Sequence, residues 1–320
     1  MAGETRIHFL NVGHGDCTVI KHPSGRITVI DTSNAEEVDK AVIDRKLGID
    51  VRKQLIYRQY RESGLSERRA LAKAGVTLEL TNPVEFIKKA YPGQSIFRYI
   101  QTHPEMDHMR GLEAIRDCIG ITNFWDTKNH RNCSTSESDR ADWEAYQQLR
   151  TSDKVKHFTR GDRRIYFGAD DEAGNGVGDS LEILSPSDAL LKDCDSGEDA
   201  GDWNNMSFVI RLTHGPITAI FGGDAGTRAW NDILATYPDK LKCSILKASH
   251  HGRESGYVPH ALDAMKPFIS ALSIGEDCEH EAYEQYKSYS KHVWSTYERG
   301  DITLTLDGTS TIGHSFSRPV

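Results

Sequence analysis

Short apolar runs separated by turns dominate the first thirty residues of the chain. The segments IHFLNVG, CTVI and RITVIDT have the length and residue types that are typical of β-strands. Glycine, proline and aspartate in the intervening GHGD and HPSG segments favour turns. The opening of the chain therefore predicts three strands joined by tight turns.

The pattern then changes to charged segments with widely spaced apolar residues. Residues 35–80 show this pattern, and we interpret them as a helical insertion. The segment TNPVEFIKKA predicts a helix with Thr81 or Asn82 as its cap, because Pro83 suits the first helical turn. Residues 126–180 are polar and irregular, apart from a helix predicted at about 140–150.

Regular structure resumes in the second half of the chain. We predict strands in LEILSP, MSFVIRLTHG, ITAIFGGD, CSILKASHHG, PFISALSIG and DITLTLDG, and helices at about 226–236, 258–266 and 280–294. Strands followed by helices, twice over, predict an α/β fold with two sheets and helices outside them. No linker rich in Gly, Ser or Pro divides the chain, so we predict one domain, 1–320, with insertions at 35–80 and 126–180.

Composition restricts the class of protein. The 320 residues are 38% hydrophobic, which is enough for a sizeable core, and no apolar run approaches the ~18 residues of a membrane helix. The N-terminal segment lacks the zones of a secretory signal. Six scattered cysteines without a CxxC pair argue against a disulfide framework or a structural zinc finger. We therefore expect a soluble, cytoplasmic protein that does not bind membranes.

Charge is unevenly distributed around a formal net charge of −8, which argues against tight nonspecific DNA binding by the whole surface. Residues 52–73 carry seven Lys/Arg against two Glu, a net +5. Residues 188–202 carry six acidic residues against one Lys, a net −5. Both stretches are compatible with solvated surface, and the basic one is the candidate for contacts to a nucleic-acid backbone.

Three clusters of polar residues stand at the ends of predicted strands. They are THPEMDH at 102–108, GGDAG at 222–226 and SHHG at 249–252. Imidazole suits zinc, and carboxylate oxygen suits harder ions such as manganese or magnesium. A carboxylate can also bridge two ions about 3.5–4 Å apart in a hydrolytic centre. Each cluster alone could arise by chance, whereas the three together predict metal-assisted hydrolysis.

These segments resemble those of metallo-β-lactamase-fold hydrolases. FLNVGHGDCTVI and TVIDTS resemble the opening strands, and THPEMDHMRGL resembles the HxHxDH metal motif. NNMSFVIRL, IFGGDAG and LKASHHG resemble the later motifs of one branch, the ComEC-type competence nuclease domain. The resemblance extends from about residue 5 to 315, apart from the insertions. It implies an αββα metallo-β-lactamase sandwich and two divalent ions, zinc or manganese, with magnesium as an alternative.

The resemblance also implies a role for individual residues. His103 and Glu105 would bind the first ion; Asp107, His108 and His250 would bind the second; and Asp224 would bridge them. Glu105 replaces the second histidine of the motif, and Asn204, or alternatively Asn205, stands where many members supply a further histidine. Asp16 matches a turn aspartate that would orient ligands. His14 stands where the branch often has Gln, so its role is open.

Residues beside the ligands are further candidates for catalysis. His251 is either a histidine that orients the ligands or a general acid, since its ordinary pKa lies near neutrality. Arg253 is either exposed or a clamp for a phosphate. With Asp107 they form the predicted catalytic set, and Ser255 is a candidate substrate contact.

The predicted function is phosphodiester hydrolysis by a metal-activated hydroxide. The branch resemblance implies a nuclease that acts on DNA or RNA. One alternative is a hydrolase of a small phosphodiester, such as a cyclic nucleotide or a phosphocholine ester. Another is a nonenzymatic protein with a vestigial site that binds a protein partner through residues 35–80.

Overall fold

Two β-sheets form the centre of the protein. The computed structural model describes residues 3–38, 40–132, 136–168, 176, 178–276, 278 and 280–318. The strands in these residues are β1 (Thr5–Phe9), β2 (Thr18–Lys21), β3 (Ile27–Ile30), β4 (Ile96–Ile100), β5 (Ile121–Asp126), β6 (Val155–His157), β7 (Leu181–Ser185), β8 (Val209–His214), β9 (Ile217–Phe221), β10 (Ile245–Lys247), β11 (Ile269–Leu272), β12 (His292–Ser295), β13 (Ile302–Leu306) and β14 (Ile312–Phe316). The first sheet has the strand order β14-β13-β1-β2-β3-β4-β5-β6, and the second has the order β12-β11-β10-β9-β8-β7.

The α-helices of the described residues are α1 (Lys40–Leu47), α2 (Val51–Glu62), α3 (Glu67–Lys73), α4 (Pro83–Ala90), α5 (Leu112–Cys118), α6 (Arg140–Arg150), α7 (Asp188–Ser196), α8 (Thr227–Thr236), α9 (Pro259–Met265), α10 (Tyr283–Tyr286) and α11 (Thr296–Arg299). Helices α4 to α9 cover the outer faces of the sheets. Asn82 caps α4, as one of the two predicted caps, because its side chain accepts from the N–H groups of Val84 and Glu85. In the described part of the chain, no helix is both long and apolar enough to cross a lipid bilayer.

Three apolar clusters give the sandwich its layers. One lies between the sheets and joins Ile7 and Phe9 of the first sheet to Ile210 and Phe221 of the second. Another packs α7, α8 and α9 against the second sheet, and a third packs α4, α5 and α6 against the first. The order of layers is therefore helix, sheet, sheet, helix, which confirms the predicted αββα sandwich.

The predicted helical insertion contains α1, α2 and α3. A small cluster of its own holds them together, formed by Ile43, Leu47, Leu71, Ala74 and Val76. The 126–180 insertion contains the predicted helix, as α6, and also the short strand β6. Its residues 133–135, 169–175 and 177 lie outside the described residues. The domain boundaries themselves stay a prediction.

One predicted element is wrong. The helix predicted at about 280–294 consists of only one short helix, α10, followed by strand β12. The sequence HVWS of β12 pairs in parallel with β11, from His292 opposite Ile269 to Ser295 opposite Leu272. Val293 and Trp294 are buried there, so sheet pairing and burial override a helical pattern.

Candidate metal centre

The polar clusters predicted at strand ends meet at one edge of the sandwich. Asp31 follows β3 and His103 follows β4, and these two strands are parallel neighbours. Asp224 follows β9 and His250 follows β10, which are parallel neighbours in the other sheet. Because the carboxyl ends of parallel strands lie at the same edge, residues far apart in sequence share one site.

Two groups of side chains in the described residues could hold a metal ion, and they share His108. His103, His108 and Asp224 form the first, in which all three are buried. The Nε2 atom of His108 lies 3.2 Å from Oδ1 of Asp224, and Nε2 of His103 lies 3.9 Å from Oδ2. Asp107, His108 and His251 form the second group, with His251 Nε2 3.2 Å from Oδ2 of Asp107.

Several atoms in these groups are buried without a hydrogen-bond partner among the described residues. They are Nε2 of His103, Nε2 of His108 and Oδ1 of Asp224, which face one another, and Nδ1 of His251 in the second group. Burying a polar atom without a partner costs about 1–3 kcal/mol, so three such atoms facing one point call for a ligand. Imidazole nitrogens and a carboxylate oxygen are ordinary donors to a divalent ion. The donor set therefore fits a metal ion.

Electrostatics supports the same assignment. Burial lowers the pKa of His103 to about 3, so this imidazole is neutral near neutral pH, as a metal ligand must be. Burial opposes a charge on His108, but the carboxylates of Asp224 and Asp31 outweigh it and raise the pKa of His108. A cation bound beside Asp224 would take the place of that proton.

Sequence reasoning missed Asp31, which orients both histidines of the first group. Its Oδ2 accepts from Nδ1 of His108 at 2.7 Å and from Oγ1 of Thr102 at 2.7 Å. Since Thr102 donates its one hydroxyl proton to Asp31, it must accept from Nδ1 of His103, at 3.0 Å. Both imidazoles thus direct Nε2 towards the centre. The signal was available, because Asp31 ends an apolar strand in TVIDTS.

The backbone is strained where it carries these groups. Asp31, His250 and His251 have positive φ values of 57°, 49° and 60°, which non-glycine residues rarely adopt. Gly15 has φ 126°, and a Cβ there would lie 2.5 Å from the carbonyl oxygen of Asp107. The GHGD turn can therefore pack on the 102–108 loop only with glycine at this position.

Asp16 lies beside the centre, as predicted for an orienting group. Its backbone N–H donates to the carbonyl of Asp107 at 3.2 Å, and its Oδ2 accepts from Nζ of Lys247 at 2.6 Å. Both side chains are buried, so the lysine balances the charge of the aspartate. Sequence reasoning did not single out Lys247, although it stands at the end of β10.

The two adjacent histidines have different surroundings. His251 belongs to the second group, whereas sequence reasoning expected His250 to be the ligand. His250 places Nε2 3.6 Å from Oδ2 of Asp224, and its Nδ1 is hydrogen-bonded to Oγ of Ser255 at 2.8 Å. Burial lowers the pKa of His250 as well. Both histidines thus approach Asp224, and their individual roles stay predictions.

Arg253 and His14 lie together at the border of the centre. Nη2 of Arg253 is 3.1 Å from Nδ1 of His14, so the arginine donates to this nitrogen. Nε2 of His14 is 3.6 Å from Oδ2 of Asp107. The buried Nε of Arg253 has no hydrogen-bond partner among the described residues. His14 thus connects the predicted phosphate clamp to the second group.

Glu105 has a partner other than the predicted ion. Both of its oxygens pair with Arg131, through Nη1 and, at 3.0 Å, through Nη2. The guanidinium also lies over the ring of Trp203, 5.4 Å from its centre. Neither group of clustered donors includes Glu105. No motif in the polar 126–180 segment would have identified Arg131 as its partner.

The two asparagines have separate positions. Asn205 accepts from the N–H groups of Gly226 and Ala229, both at 3.1 Å, and so holds the start of α8. Asn204, the preferred candidate for the missing histidine, is half-buried in a single 3₁₀ turn, 204–206. Its role as a ligand stays a prediction.

Comparisons with solved structures agree with the architecture. A mutant of the β-hydroxylase CmlA, an enzyme from Streptomyces venezuelae, matches 94% of this chain at 11% identity and a TM-score of 0.50. The chain spans 54% of that protein. Igni18 from Ignicoccus hospitalis, described as a metallo hydrolase, matches at 13% identity and a TM-score of 0.49, over 94% of this chain and 98% of its own.

A further match is YhfI from Bacillus subtilis, described as a metallo-β-lactamase fold protein. It covers 95% of this chain and 100% of its own, at 10% identity and a TM-score of 0.47. No protein-family model and no curated protein matches the sequence. The helix, sheet, sheet, helix layers of the structure confirm the predicted α/β sandwich. Its metallo-β-lactamase type stays a prediction from the motifs of the sequence.

Proposed function

We propose that the protein is a metal-dependent hydrolase of phosphodiesters. The observation that carries the proposal is the set of buried donor atoms around Asp224, which have no hydrogen-bond partner among the described residues. Such atoms are costly to a fold unless a ligand binds them. The assignment of the enzyme class and of a diester as the substrate rests on the resemblance of the motifs to those of the ComEC-type branch.

The chain offers donors for one or two divalent ions. His103, His108 and Asp224 would hold one, and Asp107, His108 and His251 another, with His108 available to only one of them. A bound ion would supply Lewis-acid polarisation of a phosphoryl oxygen and lower the pKa of a water molecule. Asp31 fixes the imidazoles of His103 and His108, so the donors are set before substrate arrives.

Arg253 is the proposed contact for the phosphate anion. Its guanidinium is half-buried at the border of the centre, and its Nη2 donates to Nδ1 of His14. A planar guanidinium can bind two phosphate oxygens at once. Held beside Asp107 by His14, it would orient the diester towards the clustered donors.

The basic 52–73 segment gives weak support to a nucleic-acid substrate. Arg61 pairs with Glu67 at 3.4 Å, Arg69 pairs with Glu36 at 3.3 Å, and Arg68 donates to the carbonyl of Leu80 at 2.7 Å. These contacts lie within the 35–80 insertion, so the three arginines have structural partners there. The proposal therefore specifies the diester bond, with small diesters and nucleic acids as its two candidate substrates.

A metal-rescue assay tests the proposal. Protein stripped with a chelator would be given manganese, zinc or magnesium, and then bis(p-nitrophenyl) phosphate, single-stranded DNA or RNA. We expect metal-restored hydrolysis of the diester and none of p-nitrophenyl acetate at matched concentration. Hydrolysis of the acetate alone would overturn the diester assignment. Absence of hydrolysis with every ion and substrate would favour the nonenzymatic alternative.

A further inference from the structure

A cavity adjoins the candidate metal centre at His14. It has an empty volume of about 500 Å³, including its opening to solvent. The helical insertion supplies one side, with Val38, Val42, Leu78 and Leu80. Loops at the strand ends supply the other, with Gly13, His14 and Gly275, together with Tyr297 of α11. The inner space of the cavity, about 70 Å³, has room for one small substituent rather than for a whole ligand.

His14 connects the cavity to the centre. The residue lines the cavity, while its Nε2 lies 3.6 Å from Oδ2 of Asp107 and its Nδ1 accepts from Arg253. A phosphate bound by Arg253 would therefore have one of its substituents directed into the cavity.

The charges of the cavity restrict what that substituent can be. Its lining includes three carboxylates, Glu37, Glu79 and Glu276. Each already pairs with a cation, with Arg110 at 3.0 Å, Arg318 at 3.0 Å and Arg45 at 2.5 Å respectively. Arg318 also lines the cavity, together with Asn11, whereas Arg110 and Arg45 are not part of its lining. Three carboxylates against one guanidinium leave the lining acidic, which disfavours a second phosphate. The valine, leucine and tyrosine side chains favour an uncharged, apolar group.

We propose that this cavity binds the apolar substituent of a small, singly charged phosphodiester, and that the insertion determines substrate choice. The inference rests on the proposed function, because it takes the diester to be bound at the adjoining centre. It selects small diesters over nucleic acids, since a polynucleotide would direct a further phosphate towards the three carboxylates.

The test compares two phosphinates that carry the same single negative charge and contain no hydrolysable ester bond. Binding of dimethylphosphinate and methyl(phenyl)phosphinate to the metal-loaded protein would be measured by calorimetry. We expect the phenyl compound to bind at least about tenfold more tightly, because its ring leaves water for an apolar wall. Equal affinities for the two compounds would overturn the inference.

Matched variants test whether the preference for the phenyl compound depends on the cavity. Val42 is 4% exposed and lines the cavity, whereas Val51, in the same insertion, is 65% exposed and is not part of the lining. Val42→Trp should abolish the preference for the phenyl compound, and Val51→Trp should retain it. Val38 lines the same cavity and is half-buried, so Val38→Trp provides a second test if Val42→Trp fails to fold. An unchanged preference in a folded cavity variant would contradict the inference.

Hydrolysis of bis(p-nitrophenyl) phosphate, measured in parallel, separates this inference from the proposed function. Hydrolysis without a phenyl preference would overturn the cavity assignment and leave the enzyme class standing. A phenyl preference that Val42→Trp removes, without hydrolysis, would support the cavity as a binding site and reject the phosphodiesterase. Tighter binding of an oligothymidylate than of the phenyl compound would overturn the selection of small diesters.

Discussion

Two buried polar clusters lie along strand β4, and they differ in how their polar atoms are satisfied. Arg98, within the strand, is fully buried and donates to Oδ2 of Asp179 from both terminal nitrogens, each at 3.1 Å. Asp179 also accepts from Ser24 and Arg26. His103, just past the end of the same strand, is equally buried, but its Nε2 has no hydrogen-bond partner among the described residues.

The difference separates a structural cluster from a binding site. In the first cluster, opposite charges compensate each other, although burial still lowers the pKa of Arg98 to about 10. In the second, two imidazole nitrogens and a carboxylate oxygen face one another without hydrogen bonds. Nε of Arg98 also lacks a hydrogen-bond partner among the described residues, so a single unpartnered atom does not mark a binding site. The convergence of His103, His108 and Asp224 on one point distinguishes the second cluster.

The largest effect is expected at Asp224. Asp224→Ala removes the carboxylate that faces His103, His108, His250 and His251, so metal content should fall and activity drop to background, at least about 10³-fold. Thermal stability should change little, because His108 loses the carboxylate that raises its pKa and can become neutral, while Asp31 still accepts from its Nδ1. Metal analysis, diester hydrolysis and melting temperature would be measured together. Activity within tenfold of wild type would exclude Asp224 from the centre.

Arg98 should show the opposite behaviour. Arg98→Met removes one of the two arginines that pair with the buried carboxylate of Asp179. The loss should lower the free energy of unfolding by about 3–5 kcal/mol. Metal content per folded molecule should stay the same. Urea denaturation measures the loss, and the double variant Arg98→Met with Asp179→Leu serves as a control that should recover much of it. A stable single variant would contradict the assignment of this pair as structural.

Asp31 should give an intermediate effect, since it supports ligands without belonging to either donor group. Asp31→Asn keeps the size of the side chain but weakens the acceptor for His108 and Thr102. We expect metal affinity to fall about 10–100-fold, as for other carboxylates that orient histidine ligands. Calorimetric titration of stripped protein measures it. An unchanged affinity would show that the backbone alone holds the imidazoles.

Glu105 should give the smallest effect if Arg131 is its partner. Glu105→Gln keeps one acceptor for the guanidinium and removes the charge, so metal stoichiometry should remain that of the wild type. Arg131→Gln is the matched variant, and its metal stoichiometry should likewise remain that of the wild type. Loss of an ion from Glu105→Gln but not from Arg131→Gln would instead identify Glu105 as a ligand, as the HxHxDH resemblance implies.

Local pattern determined much of the fold and the position of the centre. Short runs such as CTVI and ITAIFGGD predicted β2 and β9, because strands and their turns are encoded by neighbouring residues. Asn82 and Pro83 likewise defined the start of α4. The clusters at 102–108, 222–226 and 249–252 could be recognised as candidate metal ligands because they stand at the ends of strands, where sequence periodicity stops.

The tertiary structure alone decided which polar side chains meet. Arg98 and Asp179 are 81 positions apart, and Arg131 reaches Glu105 across 26, so no local pattern could pair them. The positions of His250 and His251 beside Asp224 depend on the left-handed backbone of both residues, which determines where each imidazole lies. The cavity at His14 likewise forms only when the insertion packs beside the strand ends, because its two sides come from distant segments. Sequence thus determined most of the elements and the donor types, whereas long-range packing determined the partners of the donors and made β12 a strand.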